Sequence, residues 1–302
     1  MKNSISILLL LVLSVLFNQS LLAQDYRVAV RAHNGVEHAF TQWQETLNAL
    51  SKAIPEHSFK LVPIISLKEI TLAAERGEFD FILTNPSSYV ELNILHDARV
   101  LVTLNNKRAD TAQSRFGSVI FTHAGNDHIL SIQDLKNTTV MAVSEPAFGG
   151  WRVAWLEMLK HGIDPYKDLK ALKFTNSKTQ AEVVNAVRDG IVEVGVVRTD
   201  QLERMANSGK ADLRYFRILN SKDTPAFPFF HSTELYPEWA FAAMPSVPDS
   251  HSQSVKKALQ SIQPSSHAAR KGQYVGWINP LDYTSAENLM KRLQVGPFFK
   301  SR

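Results

Sequence analysis

The sequence predicts an α/β protein of two lobes that are joined by a hinge of two strands. Two stretches share the order helix, glycine turn, short buried strand, polar tip and new helix, at residues 69–92 and 182–205. Aligning Gly77 with Gly190 places Asn85 opposite Arg198, so polar groups follow both strands. Strands also alternate with helices along the chain, which indicates parallel sheets. Two such units with polar strand ends are typical of lobes that close on one small molecule.

The first lobe is predicted from the apolar periodicity of the first third of the chain. Its predicted strands are residues 26–32, 59–65 and 79–83, and its predicted helices are residues 40–53 and a segment that ends at Gly77. A glycine directly after the last apolar position is a helix stop signal. A further strand, residues 115–122, is expected to leave this lobe.

A second α/β series follows, and then the chain returns. Its predicted strands are residues 139–143, 172–175 and 192–197, with a helix from Gly150 and another through Val187. We interpret the proline-rich segments 224–231 and 236–245 as the return crossing, and helices at 250–262 and 285–293 as a tail that packs on the first lobe. We therefore expect lobe I to comprise residues 24–116 plus 238–302, lobe II to comprise residues 117–237, and the two crossings to form the hinge.

The N-terminus has the features of a secretory signal peptide. Lys2 precedes an apolar run over residues 5–17, and the small residue Ala23 suits a cleavage site before Gln24. The alternative is a membrane anchor, which needs about 18 or more continuous apolar residues. We expect residues 1–23 to be removed and the mature protein to be periplasmic, with no direct membrane anchor.

Composition narrows the class of protein further. The chain has no cysteine, so it contains neither disulfides nor a site for a lipoprotein anchor. Its 33 Lys plus Arg residues slightly exceed its 29 Asp plus Glu residues, and no basic block occurs. This balance argues against nucleic acid as a partner and is compatible with a small anion. We expect a monomer without a cofactor.

The most specific local signal is Asn85-Pro86. Asn is a preferred helix N-cap and Pro is favoured at the first helical position, so a helix should begin here. Free backbone N–H groups at such a start, with the Ser87 and Ser88 hydroxyls nearby, can bind an anion, and Tyr89 could complete the pocket. The alternative is a capped helix that binds nothing.

The corresponding segment of the second lobe contains Ser144 and the pair Gly149-Gly150. Glycines at a helix start allow a ligand to approach the backbone. Trp151 and Trp155 are four residues apart and would share one helix face. Such a pair usually belongs to the core, so only Trp151 is expected near the cleft.

Arg198 follows the apolar run 192–197, at the end of a strand that should be buried. A guanidinium there needs an anionic partner, and its planar fork matches the oxygens of a sulfonate, carboxylate or phosphonate. The alternative is an internal ion pair with Asp200 or Glu203. Thr175 and Ser177, beside a neighbouring strand end, are further candidates for the cleft.

No catalytic or metal site is expected. The sequence lacks His-Glu-x-x-His, Gly-x-Ser-x-Gly and Gly-x-x-x-x-Gly-Lys motifs. The histidine pairs 33/38 and 123/128 are spaced five apart in predicted loops, and neither has a further ligand. His231 could reach the cleft or could belong to the hinge.

Several motifs together resemble a known superfamily. Residues 80–89, 117–122 and 145–151 resemble the phosphonate-binding-protein-like periplasmic solute-binding proteins. Residues 197–205, 227–239 and 276–283 look closest to one branch, the sensory head of tetrathionate-responsive histidine kinases. The resemblance covers nearly all of the chain after the predicted signal peptide.

The resemblance implies a type II periplasmic-binding-protein fold with an oxyanion held between the lobes. By motif, it implies contacts from residues 85–89, from Ser144, Gly149 and Gly150, and from the Arg-Thr-Asp motif at Arg198, Thr199 and Asp200, with Ser118 as a lesser candidate. In the kinases a transmembrane helix and output domains follow such a head, whereas this sequence stops at Arg302.

The expected function is therefore the capture of a small oxyanion, tetrathionate-like or phosphonate-like. The closed state would be presented to a membrane sensor kinase or an ABC permease. A truncated sensor gene would also explain the sequence. Two other classes stay open: an enzyme on the same fold that acts on a small anionic substrate, and an envelope protein with an empty cleft.

Overall fold

The computed structural model describes residues 24–32, 34–177 and 179–299. The predicted signal peptide, residues 1–23, lies outside the described residues, as does His33. Within those described ranges, no helix is both long and apolar enough to cross a lipid bilayer.

The strands of the described residues form two large sheets and one small one. They are β1 (Gln24–Arg31), β2 (His57–Ile64), β3 (Phe81–Thr84), β4 (Arg99–Arg108), β5 (Thr111–Gln113), β6 (Arg115–Phe116), β7 (Ser118–His123), β8 (Thr139–Ala142), β9 (Ala171–Phe174), β10 (Val194–Arg198), β11 (Phe216–Leu219), β12 (Tyr236–Pro237), β13 (Ala240–Ala243) and β14 (Tyr274–Ile278).

Helices cover the faces of the two large sheets. They are α1 (Val36–Ala53), α2 (Leu67–Glu75), α3 (Pro86–His96), α4 (Val153–Lys160), α5 (Gln180–Arg188), α6 (Gln201–Asn207), α7 (Asp249–Ser261), α8 (His267–Gly272) and α9 (Thr284–Leu293). One turn of π-helix, Phe148–Arg152, leads into α4.

The sheet of lobe I has the strand order β14-β4-β13-β3-β1-β2, and β5 pairs with β4. β1 is parallel to β2 and to β3, whereas β13 is antiparallel to β3 and β4 is antiparallel to β13. β4 therefore runs in the same direction as β3. As a result, the carboxyl ends of β1, β3 and β4 and the start of β13 lie along one edge of the sheet.

The sheet of lobe II repeats this topology in the order β11-β7-β10-β8-β9. β8 is parallel to β9 and to β10. β7 is antiparallel to β10, and β11 is antiparallel to β7. The acidic side chains just before β3 and β10 also make equivalent hydrogen bonds to the backbone of a neighbouring strand. Asp80 accepts a hydrogen bond from the Arg27 backbone N–H at 2.8 Å, and Glu193 accepts one from the Thr139 backbone N–H at 2.8 Å. The predicted repeat is thus present in the fold.

The hinge is a short antiparallel pair of β6 and β12, with Phe116 opposite Tyr236. The strand predicted at 115–122 is interrupted at Gly117 and continues as β7. A Cβ at Gly117 would lie 2.7 Å from Thr233 Oγ1 and 2.8 Å from the Glu234 carbonyl oxygen. Only glycine allows the two crossing chains to approach so closely.

The lobes share apolar packing beside the hinge. Phe148 and Leu156 of lobe II belong to one buried cluster with Tyr89, Tyr236 and Leu289. The Phe148 ring meets the Tyr236 ring edge to face, with centroids 5.3 Å apart. This cluster connects the π turn and α4 of lobe II to the hinge and to α9 of lobe I.

Most predicted elements are confirmed, with ends that differ by a few residues, and the tail helices α7 and α9 return to lobe I as expected. Three strands of lobe I, β4, β5 and β14, were not predicted, nor were β11 of lobe II and the short helix α8. The helix expected from Gly150 begins instead as the π turn at Phe148.

Candidate ligand-binding cleft

A cavity of about 450 Å³ lies between the lobes, next to the hinge. Its lining includes Arg31 and Arg108 from lobe I and Arg198 and Arg204 from lobe II. Asp200 is the one acidic residue among the described residues that line it. The cleft is therefore strongly cationic, and arginines approach it from both lobes.

Arg198 ends β10 and crosses to lobe I, where its Nη2 donates a hydrogen bond to Glu238 Oε1. Its guanidinium lies 4.2 Å from the centroid of the Phe116 ring, and its Nε is buried without a hydrogen-bond partner. The alternative of an internal ion pair is thus realised, but the expected partners, Asp200 and Glu203, were wrong. The partner is Glu238, forty residues further along the chain.

Glu238 is fully buried in the short link between β12 and β13. Besides Arg198, its carboxylate accepts hydrogen bonds from Asn106 Nδ2 at 2.5 Å and from the Trp239 backbone N–H at 3.1 Å. Tyr283 Oη donates to the Glu238 carbonyl at 2.6 Å. A buried carboxylate needs such compensation, and three donors with one opposite charge supply it.

A second ion pair connects the lobes, and here the arginine belongs to lobe I and the carboxylate to lobe II. Arg108 Nε, at the end of β4, lies 3.6 Å from Asp200 Oδ2, and Arg204 Nε lies 3.7 Å from the same oxygen. Burial lowers the pKa of Arg108, and the like charge of Arg198 lowers it further. Arg108 Nε is buried without a hydrogen-bond partner.

Asp200 adopts a left-handed backbone conformation with φ of 74° directly before α6. Aspartate tolerates this conformation better than most residues. The turn from β10 into α6 thereby places Arg198, Asp200 and Arg204 at the cavity wall.

Arg31 ends β1 and differs from the other cleft arginines. Its Nη1 is buried without a hydrogen-bond partner, and burial lowers its pKa. Among the described residues no carboxylate forms an ion pair with it. Arg31 is therefore a cleft cation without an internal counter-charge.

Asn85 caps α3, as the sequence predicted. Its side-chain oxygen accepts a hydrogen bond from the Ser88 backbone N–H at 3.1 Å, Pro86 occupies the first turn, and Asn85 lines the cavity. The Ser87 and Ser88 hydroxyls are buried without a partner but do not line it. Tyr89 was expected to complete the pocket but does not line the cavity; it packs against Tyr283, with ring centroids 4.7 Å apart.

Ser144, Gly149 and Gly150 all line the cavity from lobe II. A Cβ at Gly149 would lie 2.6 Å from the Phe116 ring and 3.3 Å from Arg198 Cγ. A Cβ at Gly150 would lie 2.8 Å from Val143. Both positions therefore require glycine because the protein itself packs closely there. The sequence had suggested only that these glycines make room for a ligand.

Five further candidates are absent from the cavity lining: Ser118, Trp151, Thr175, Ser177 and Thr199. Trp151 was expected near the cleft, but it is fully buried and stacks on Trp155 in the core of lobe II. Ser118 Oγ donates to the Gly149 carbonyl at 2.6 Å, and Thr175 Oγ1 donates to the Val143 carbonyl at 2.9 Å.

Ser177 and Thr199 have other roles as well. Ser177 bonds Glu182 beside a surface groove on lobe II, and Thr199 Oγ1 accepts from the Gly117 backbone N–H at 3.3 Å. Thr199 therefore supports the backbone beside the hinge, whereas Ser177 is exposed on the surface of lobe II.

Sequence reasoning missed three cleft arginines, namely Arg31, Arg108 and Arg204. Arg31 and Arg108 are the last residues of strands, as is Arg198, so an arginine at the end of an apolar strand could have identified both of them.

His38, expected in a loop, lies in the first turn of α1 and lines the cavity. His231 is buried beside Thr224, with 2.9 Å between its Nε2 and Thr224 Oγ1. Within the described ranges, no three His, Asp or Glu side chains converge in a way that could hold a metal ion.

This geometry can be set beside known proteins. The chain is 32% identical over 238 residues to the tetrathionate sensor histidine kinase TtrS of Salmonella typhimurium. The match covers 78% of this chain but only 39% of the length of that kinase.

Solved structures share the fold at low sequence identity. PhnD1 from Prochlorococcus marinus, in complex with methylphosphonate, superimposes with a TM-score of 0.68 at 14% identity, covering 89% of this chain and 98% of that one. A binding protein component of an ABC phosphonate transporter from Pseudomonas aeruginosa superimposes with a TM-score of 0.66 at 13% identity, covering 90% and 87%. Both likenesses agree with the type II periplasmic-binding fold.

The model of the family described as ABC transporter, phosphonate, periplasmic substrate-binding protein matches residues 28–284. The match spans both lobes and the hinge. The chain therefore belongs to the phosphonate-binding family of periplasmic substrate-binding proteins.

Proposed function

We propose that this protein captures a small oxyanion between its lobes in the periplasm and presents the closed state to a membrane partner. The observation that carries the proposal is the charge of the cleft: four arginines line it, against Asp200 in the lining and Glu238 behind it. Three of these arginines, Arg31, Arg108 and Arg198, carry a buried nitrogen without a hydrogen-bond partner. An oxyanion would supply acceptors for these donors.

Closure follows from the distribution of the arginines over both lobes. An anion that contacts Arg31 and Arg108 on one side and Arg198 and Arg204 on the other binds the closed state more tightly than the open state. It therefore shifts the population toward closure. The hinge pair of β6 and β12 is the segment about which such motion would occur.

A sulfur oxyanion is the favoured ligand. The sensor kinase with 32% identity is named for tetrathionate, whereas PhnD1, which holds methylphosphonate, is only 14% identical to this chain. The partner would be a membrane sensor kinase or an ABC permease that contacts both lobes at once. The family and its solved neighbours are binding proteins, which favours capture over catalysis.

The test is thermal unfolding of the protein purified from the periplasm after expression of the full chain. The panel is tetrathionate, thiosulfate, sulfate, phosphate, methylphosphonate and succinate, each at matched ionic strength because salt screens charge. A ligand at a hundred times its dissociation constant stabilises by about 2.7 kcal/mol. For a chain of this size such stabilisation raises the melting temperature by roughly 5 °C.

We expect tetrathionate to stabilise selectively and unchanged ligand to be recovered after incubation. Equal shifts by all anions would indicate screening of the cationic cleft and would contradict a specific site. A shift by succinate alone would replace the oxyanion with a carboxylate. Conversion of any ligand would support an enzyme.

A further inference from the structure

The cleft arginines fall into two groups that differ in their internal partners. Arg108, Arg198 and Arg204 share two carboxylates, Asp200 and Glu238, and we call these five residues the paired cluster. Arg31 has no carboxylate partner among the residues described in lobe I or lobe II. This difference bears on the shape of the ligand, and the inference below rests on the proposed function.

The two groups lie apart along the edge of the lobe I sheet. Arg31 ends β1 and Arg108 ends β4, with β3 and β13 between these strands. Neighbouring strands are about 4.8 Å apart, so β1 and β4 are separated by roughly 14 Å across the sheet, and Arg108 lies beyond Thr103, the β4 residue that is level with the end of β1. Arg198 meets Glu238, in the short link between β12 and β13, so it belongs to the Arg108 side of the cleft. The long side chains reduce the gap, but the two cationic positions stay distinct.

The charges of the two groups are also separate. Within the paired cluster, three guanidinium groups face two carboxylates, which leaves one net positive charge. Arg31 carries the other. An anion with both charges on one group would neutralise one position and leave the other without a counter-charge.

We infer that the cleft selects an elongated dianion with one anionic group at each end, and that Arg31 binds the end remote from the paired cluster. Two sulfonate groups joined by a two-atom bridge have this chemistry. Tetrathionate is one such compound and 1,2-ethanedisulfonate is another. Arg31 is thereby the residue that distinguishes two-ended ligands from single-headed ones such as sulfate and methanesulfonate.

The experiment is calorimetric titration of the wild-type protein, Arg31→Gln and Arg27→Gln. The probes are tetrathionate, 1,2-ethanedisulfonate, sulfate and methanesulfonate. Arg27 is the matched control because it lies in the same strand, does not line the cavity, and pairs with Asp80 at 3.1 Å. Each hydrogen bond to a charged group contributes about 1.5–3 kcal/mol, which corresponds to a factor of roughly ten or more in affinity.

We expect the wild-type protein to bind both two-ended probes at least about tenfold more tightly than the single-headed ones. Arg31→Gln should remove this preference and leave the affinity for sulfate within about twofold, while Arg27→Gln should change neither. If Arg31→Gln does not fold, Arg31→Lys is titrated instead. It keeps the charge but loses the bidentate fork, so the preference should fall without disappearing.

If Arg31→Gln lowers the affinity for all four probes equally, or does not lower it for the two-ended probes, the proposed role of Arg31 is wrong. Single-headed probes that bind as tightly as two-ended ones would overturn the ligand class while leaving oxyanion capture intact. Binding of none of the probes or of the wider anion panel would overturn the proposed function, and this inference with it.

Discussion

Arg198 of lobe II donates a hydrogen bond to the fully buried carboxylate of Glu238 in lobe I. The pair crosses the cleft beside the hinge and is buried on both sides, with the Arg198 side chain 15% exposed. Arg198 therefore serves two purposes: it neutralises Glu238 and leaves Nε free for a ligand. Stability and binding are coupled at this residue.

Arg198→Met is expected to lower the free energy of unfolding by about 3 kcal/mol or more, since it leaves a buried carboxylate without its cation. It should also weaken oxyanion binding. Glu238→Gln in the Arg198→Met background removes the uncompensated charge and should recover part of the lost stability but not the binding. Urea unfolding of the two single variants and the double variant measures the coupling. Additive losses would show that the two residues do not interact energetically.

Asn85→Ala removes the cap of α3 and should cost about 1 kcal/mol of stability. Because Asn85 also lines the cavity, we expect weaker oxyanion binding. Ser66→Ala is the matched control, since the Ser66 side chain caps α2 by accepting from the Glu69 backbone N–H at 3.0 Å and does not line the cavity. Urea unfolding and calorimetry separate the two effects. Equal binding by the two variants would leave Asn85 with a capping role alone.

Gly149→Ala places a methyl group against the Phe116 ring and Arg198 Cγ. Overpacking of this kind typically costs about 1–3 kcal/mol, and displacement of Arg198 should weaken oxyanion binding as well. The control is Gly276→Ala in β14, where the added Cβ lies 3.9 Å from its nearest neighbour. That variant should be neutral or stabilise by up to about 1 kcal/mol. Similar melting temperatures for the two variants would contradict the close packing of Gly149.

Glu203 should make stability depend on pH. Burial raises the pKa of its carboxyl, so the folded state binds the proton more tightly than the unfolded state does. Its contribution therefore falls as the pH rises from the ordinary pKa of glutamate through the raised one. Glu203→Gln keeps the acceptor for the Phe230 N–H and should increase the free energy of unfolding at pH 7.

That gain should shrink as the pH is lowered below about 4, the ordinary glutamate pKa, because the wild-type carboxyl becomes protonated in both states there. Urea unfolding at a series of pH values gives the profile. Glu75→Gln, at an exposed position of α2, is the control and should change stability by less than about 0.5 kcal/mol. A gain for Glu203→Gln that is independent of pH would exclude titration as its cause.

Several features of the fold were predictable because they depend on neighbouring residues in the chain. The repeat of helix, glycine turn, strand and polar tip appears in both sheets, with Gly77 and Gly190 at positive φ. Asn85-Pro86 begins a helix because capping and a fixed φ act within one turn. β4 was missed, although residues 100–104 form a nearly continuous apolar run before the polar residues 105–108.

The cleft itself was only partly predictable. Arg198 could be singled out because a guanidinium at the end of a buried strand needs an anionic partner. Its partner could not be found by distance along the chain, since Glu238 reaches it only when the return crossing brings β13 beside β3 and β4. Trp151 illustrates the opposite error: its position beside the Gly149-Gly150 motif suggested the cleft, but the π turn directs the ring into the core.

Three features can be read from the chain alone: the α/β repeat, the helix start at Asn85 and the arginine that ends β10. Each of these follows from local propensity and periodicity, which act over a few residues. The folded structure is needed to see that Arg31, Arg108, Arg198 and Arg204 share one cavity and that Glu238 and Asp200 neutralise some of them but not Arg31. Strand order and lobe closure bring together residues that are far apart in the chain, and the net charge of a cleft depends on all of them at once.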